Sequence, residues 1–222
     1  MIKRNKIFLL IFFFIIFTSY NFNEKKQNLS IIFPIKKIII EGTNAIDLIK
    51  LKLELEFLRN TSLFFLKEED IIKVSDKYNF ISSIQLKKKY PNTLRILISE
   101  YIPVATEIGD TNRYYLTKLG KKINYIDLKI FENLPVIFGN HKNFSTFFTT
   151  LEKSNFKINS IKAFYYFNIG RWDIVLKDKT TIKLPEINYQ KILLEINSVL
   201  VDPNFSEYKI FDYRVKDQLI LQ

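Results

Sequence analysis

An unbroken apolar run, Ile7–Phe17, stands directly behind Lys3, Arg4 and Lys6, and it limits what this chain can become more than any other feature. A charged start followed by such a run is a Sec-type export signal. The segment Phe17–Phe22 offers no pair of small residues for a signal peptidase, so the run reads as an uncleaved anchor rather than a leader. The sixteen residues from Ile7 to Phe22 span about 24 Å as a helix, short of a hydrocarbon core of about 30 Å. Tyr20 and Phe22 suit one interface, and lysine and arginine can snorkel at the other. Cations ahead of the span keep residues 1–6 in the cytoplasm and send the body outside. No later apolar run escapes charge for more than about ten residues. The expected order is a tail over 1–6, a single transmembrane anchor over 7–22, a polar linker over 23–32, and an exported body.

Composition then narrows the chemistry. The 222 residues are 47% hydrophobic, enough for packed cores, and contain no cysteine, one histidine and five glycines. Disulfides, thiolate metal sites and cysteine nucleophiles are excluded, and five glycines leave no phosphate-cradling loop. His141 lies in a polar turn, Gly139-Asn-His-Lys-Asn143, and reads as an exposed loop residue. Glu68, Glu69 and Asp70 are the one tight acidic group; as the start of a helix they answer its dipole and need no catalytic role. Lys87–Lys89 with Tyr90 resembles a nucleic-acid contact, but on a strand those lysines alternate faces, and an exported protein seldom meets nucleic acid. The net charge of +11 goes with an Ile-, Lys-, Asn- and Phe-rich, Ala-poor composition, so it reads equally as compositional drift or as a basic surface. Catalytic, cofactor and metal residues are therefore expected to be none.

The body divides in two. Ile35–Glu41 reads as a strand closed by Gly42, Asn44–Asn60 as a helix capped by Asn44, and Lys67–Tyr78 as a second helix. Ile81–Lys89 and Thr93–Ala105 form a hairpin about Tyr90-Pro91-Asn92. Strand–helix–helix–strand–strand makes one compact α+β unit. Further on, a small hairpin turns at Gly120, Leu134–Gly139 is extended, and Asn143–Asn155 is helical with Asn143 as cap. Ile161–Tyr166, Trp172–Leu176 and Thr180–Leu184 are strands, Asn188–Leu200 is an amphipathic helix, and Tyr208–Tyr213 and Gln218–Leu221 close the chain as strands.

Three stretches in this order resemble the FtsQ/DivIB family of bacterial cell-division proteins. Phe33-Pro-Ile-Lys-Lys-Ile-Ile-Ile-Glu-Gly42 is similar to the opening strand of that family's POTRA domain. Tyr90-Pro-Asn-Thr-Leu-Arg-Ile-Leu-Ile-Ser-Glu100-Tyr-Ile-Pro-Val-Ala105 resembles its closing hairpin, which ends Glu-x-x-Pro-Val-Ala. Gly170-Arg-Trp-Asp-Ile-Val-Leu176 with Thr181-Ile-Lys-Leu-Pro185 resembles its Arg-Trp strand and the following arm.

The resemblance implies a POTRA domain (β-α-α-β-β) over 33–105 and a second β-rich domain with flanking helices over 106–222, behind the single transmembrane helix. It implies a non-enzymatic scaffold of the divisome in the cell inner membrane, body periplasmic, enriched at the division septum. The implied partners are FtsB and FtsL, joined by adding a strand to the last β-strand. Membrane lipid meets the anchor, and no nucleic acid, small-molecule substrate or cofactor is expected. The implied contact residues are Val215, Asp217 and Gln218 beside the last strand, with Arg171 and Trp172 in the neighbouring motif; Val215 stands where the family often has an aromatic. Two alternatives stay open: a POTRA-containing export or envelope-assembly factor, and a membrane-tethered periplasmic hydrolase.

Overall fold

The computed structural model describes residues 8–9, 11–15, 31–109 and 112–222. The tail over 1–6 and most of the expected anchor and linker lie outside the described residues. Residues 8–9 and 11–15 are helical, and among the described residues no helix is long and apolar enough to cross a membrane.

The first unit runs β1 (Lys37–Glu41), α1 (Leu48–Glu54), α2 (Glu69–Ser75), β2 (Ile81–Lys89) and β3 (Thr93–Glu100). Its sheet has the order β1-β3-β2, with β1 parallel and β2 antiparallel to β3. Leu51, Leu55, Leu58, Ile71 and Val74 from the helical segments bury against Leu94, Ile96 and Ile98 of β3. The helix over 44–60 is shorter than its apolar density suggests, because the chain tightens to a 3-10 turn at Glu56–Leu58. Its cap is Asp47, whose carboxylate accepts from the amides of Ile49 and Lys50 at 2.9 and 3.2 Å. Asn44 instead gives its amide to Glu100 Oε2 at 3.0 Å. Ala45 and Ile46 donate to the same carboxylate at 2.9 and 3.1 Å, which explains a glutamate at that point of the motif.

The strand expected over Thr93–Ala105 is two strands. Tyr101 and Ile102 break it, and Pro103 opens β4 (Pro103–Ile108) in a different sheet. The second sheet continues with β5 (Arg113–Thr117), β6 (Lys122–Asn124), β7 (Val136–Phe138), β8 (Ile161–Tyr166), β9 (Trp172–Leu176), β10 (Thr181–Lys183), β11 (Ile210–Asp212) and β12 (Ile220–Leu221). Its order is β12-β11-β10-β9-β8-β7-β4-β5-β6. Helices α3 (Phe144–Lys153) and α4 (Tyr189–Val201) cover one face. Phe144, Phe147, Phe148, Leu193 and Ile196 bury there against Phe164, Ile174, Ile182 and Phe211, one residue from each of four neighbouring strands. Asn143 and Asn188 occupy the caps of these helices without a side-chain hydrogen bond. They serve by tolerating the left-handed backbone, at φ 61 and 62, which asparagine does better than most residues.

The two units share a core. Tyr115 on β5 and Ile123 on β6 face the first unit. Phe80 stacks on Phe131 at 5.9 Å and meets Tyr115 edge-on at 5.9 Å. The Tyr115 hydroxyl donates to the Ile126 carbonyl at 2.7 Å.

Candidate partner-binding edge

Register along the large sheet sorts its residues by face. On the covered face, Ile137, Phe164, Ile174, Ile182 and Phe211 pair in sequence across β7 to β11 and end on Leu221 of β12. One residue along, the opposite face carries Phe138, Tyr165, Asp173, Lys183, Asp212 and Ile220 in the same strand order. Phe138 stacks on Tyr165 at 4.8 Å. The row therefore starts aromatic, turns charged over β9 to β11, and ends on an exposed isoleucine at the sheet's edge.

Both carboxylates of the row are nearly inaccessible, Asp173 at 6% and Asp212 at 4% exposure. A buried carboxylate needs cations and donors close by. Arg214 supplies them to Asp212, its Nε lying 2.8 and 3.0 Å from the two carboxylate oxygens and its Nη2 2.5 Å from Oδ2. Those bonds hold the Asp212 carboxyl below the usual carboxylate range, against its burial. Asp173 is less well served. Arg171 Nε approaches its Oδ1 at 3.2 Å, but neither atom completes a well-aligned hydrogen bond. Burial pushes the Asp173 carboxyl up, opposed by the charges of Arg171, Arg214 and Lys183. Lys183 Nζ lies 3.9 Å from Asp212 Oδ2. Three cations surround two carboxylates, leaving the patch one positive charge in excess.

The edge itself is β12. Ile210 and Gln222 exchange both main-chain bonds, at 2.8 and 3.1 Å. Pairs in an antiparallel ladder alternate, so the N–H and C=O of the intervening Leu221 turn away from β11 toward the open edge. Sequence-named residues divide around it. Val215, Asp217 and Gln218 lie on the β11–β12 loop and, with Arg214, line one wall of a groove of about 1060 Å3 whose other wall is the start of α4. Arg171 precedes β9 and stacks over the Phe167 ring at 4.0 Å. Trp172 does not face this surface. It is 2% exposed and stacked on Phe147 at 4.8 Å, so its side chain is part of the core.

Asp173 and Lys183 escaped the sequence reading. Their signal was a charge at the middle or end of an otherwise apolar short strand, which buried strands seldom carry unpaired. His141 is not a free loop residue: its Nδ1 lies 2.8 Å from Oε1 of the buried Glu107, whose Oε2 is 2.8 Å from Lys122 Nζ. Among the described residues no cluster of three or more acidic or histidine side chains is disposed to hold a metal.

Residues 33–101 match the model of the FtsQ-type POTRA domain, and the β1-α1-α2-β2-β3 order is the one that resemblance implies. The likeness is to the FtsQ family. It is 27% identical to the cell division protein FtsQ of Rickettsia typhi over 197 residues, covering 86% of this chain and 73% of that protein. It is 26% identical to FtsQ of Rickettsia prowazekii, with 86% and 72% covered. FtsQ of Blochmanniella floridana is 25% identical over 154 residues, 60% of this chain and 53% of that one. The Rickettsia matches run well past residue 101 in length, so the second sheet of this chain is included in the likeness.

Proposed function

We propose that this chain is a non-catalytic scaffold of the division machinery, anchored by its N-terminal apolar run with the body in the periplasm, and that it captures FtsB, within the FtsB–FtsL pair, by strand addition at β12. The observation that carries the reading is the placement of β12 as the outermost strand of a nine-stranded sheet, with the Leu221 main chain turned outward. An extended partner segment would complete that ladder with main-chain bonds. Ile220 supplies an apolar contact on one face, and the Arg171–Lys183–Arg214 cluster favours an acidic residue on the partner. Val215, Asp217 and Gln218 border the groove that the segment would meet on leaving the edge. A membrane-tethered hydrolase would need a nucleophile–base pair or a metal triad, whereas Asp173 and Asp212 face arginine and lysine.

The test is binding of the purified chain to the periplasmic segments of its own organism's FtsB and FtsL. Leu221→Pro removes the outward N–H while sparing the inward bonds of β11, and Val215→Lys alters the groove. Loss of binding in Leu221→Pro, with the single tryptophan's fluorescence unchanged, supports capture at the edge. Undiminished binding by that variant would sink it.

A further inference from the structure

We infer that the first unit carries a second, lipid-facing surface: an aromatic and basic patch at the point where the chain enters the fold, built to lie on an anionic bilayer. The inference rests on the anchor reading above, but the surface is separate from β12.

The patch is assembled from three segments. Phe64 and Phe65 are 57% and 66% exposed, with their rings in edge contact at 5.1 Å. Phe33 meets the ring of the exposed Tyr90 at 5.0 Å. The segments are joined through the main chain. Leu63 donates to the Phe33 carbonyl at 2.9 Å, and Ser62 Oγ to the Ile32 carbonyl at 2.7 Å. Lys88 at the far end of β2 reaches the Phe64 carbonyl at 3.0 Å. These rings are held outward by hydrogen-bonded backbone, with Phe33 itself in the left-handed region at φ 52.

Such a combination has a specific physical partner. Aromatic rings at an interface sit at headgroup depth, and lysines beside them meet anionic lipid. Reach decides between lipid and a soluble partner. The apolar segment ends at Phe22, and nine residue steps separate it from Ile31. Even fully extended they span about 30 Å, so the patch cannot leave the neighbourhood of the bilayer in which that segment lies.

The chain has no cysteine, so one introduced thiol reports alone. Full-length Phe65→Cys, carrying an environment-sensitive fluorophore, is reconstituted in phosphatidylcholine vesicles with or without phosphatidylglycerol. Leu194→Cys on exposed α4 serves as the reference. A blue shift and strong quenching by spin-labelled lipid at 65 but not at 194, greater with phosphatidylglycerol, is the expected result. Lys88→Gln should weaken the docked state about fivefold, from about 1 kcal/mol for a cation at an anionic surface. A solvent-like label at 65 in both vesicles overturns the proposal. So does a signal at 65 that grows with protein density instead of anionic lipid, which would make a second copy the occupant. Alkaline extraction of the same vesicles tests the anchor reading separately, since the label is read at neutral pH beforehand.

Discussion

The Glu100 carboxylate closes over the main-chain amide of Ala45 at 2.9 Å, tying the end of β3 to the loop before α1 across 55 positions of sequence. Asn44 and Ile46 donate to it as well. Three amides on one carboxylate explain why a glutamate precedes the Pro-Val-Ala of the motif. Glu100→Ala should cost about 2 kcal/mol, since bonds to a charged acceptor are worth roughly 1.5–3 kcal/mol. Urea unfolding measures it. A loss below about 0.5 kcal/mol would mean that water replaces the carboxylate at no cost.

Gly42 makes the same junction possible from the other side. Its φ is +90, and a Cβ there would stand 2.1 Å from the Ile98 carbonyl oxygen. The neighbour is backbone of the central strand and cannot swing aside. Gly42→Ala combines a left-handed backbone penalty with displacement of β3, and about 3 kcal/mol or more is expected. Thermal unfolding of this variant beside Gly109→Ala, whose φ is ordinary and whose nearest foreign contact is 3.1 Å, separates the clash from the loss of a glycine as such.

Asp173 and Asp212 should respond to pH in opposite senses. The Asp212 carboxyl is held down, chiefly by Arg214. Its contribution to stability is complete above the unfolded value near pH 4 and is lost as pH falls through the lower folded value. The Asp173 carboxyl is held up by burial. The folded chain takes up that proton first, so the contribution is present at low pH and is lost as pH rises through the folded value. Asp212→Asn should therefore destabilise at pH 7, by about 2 kcal/mol, with a smaller effect in acid. Asp173→Asn should raise the urea midpoint at pH 7 and lose that advantage in acid. The same sign for both at pH 7 would refute the assignment.

Trp172 and Val215 test the division between core and surface. Trp172→Ala empties a buried site stacked on Phe147 and should cost about 3–5 kcal/mol. Val215→Lys replaces a side chain 45% exposed and should alter stability by no more than about 0.5 kcal/mol. If Val215→Lys unfolded the chain, the groove wall would be structural and its use in binding experiments would end.

Much of this architecture was legible in the residues. β2, β8 and β9 fall on the expected bounds, because period-two alternation or a compact apolar run with clear turns marks each. The helix expected over 44–60 is shorter in the structure, since leucine and isoleucine at nearly every second position blur the helical period and Asp47, not Asn44, supplies the cap. The break at Tyr101–Ile102 was hidden because apolar character continues through it; only a change of sheet, a tertiary event, ends the strand. For the candidate edge, Arg171 and the loop residues came from the family resemblance. The Asp173–Lys183–Asp212 row could not, as it exists only once β9, β10 and β11 are in register.

The two-residue passage from β3 to β4 has a mechanical consequence. With Phe80, Tyr115 and Phe131 packed across it, the joint has no slack in which to swivel. From β4 to β12 there are six strand spacings, about 29 Å at about 4.8 Å each, all laced by main-chain bonds. The molecule is then a stiff outrigger. A load applied at its far rim would be delivered to the first unit as torque, not absorbed in a flexible joint.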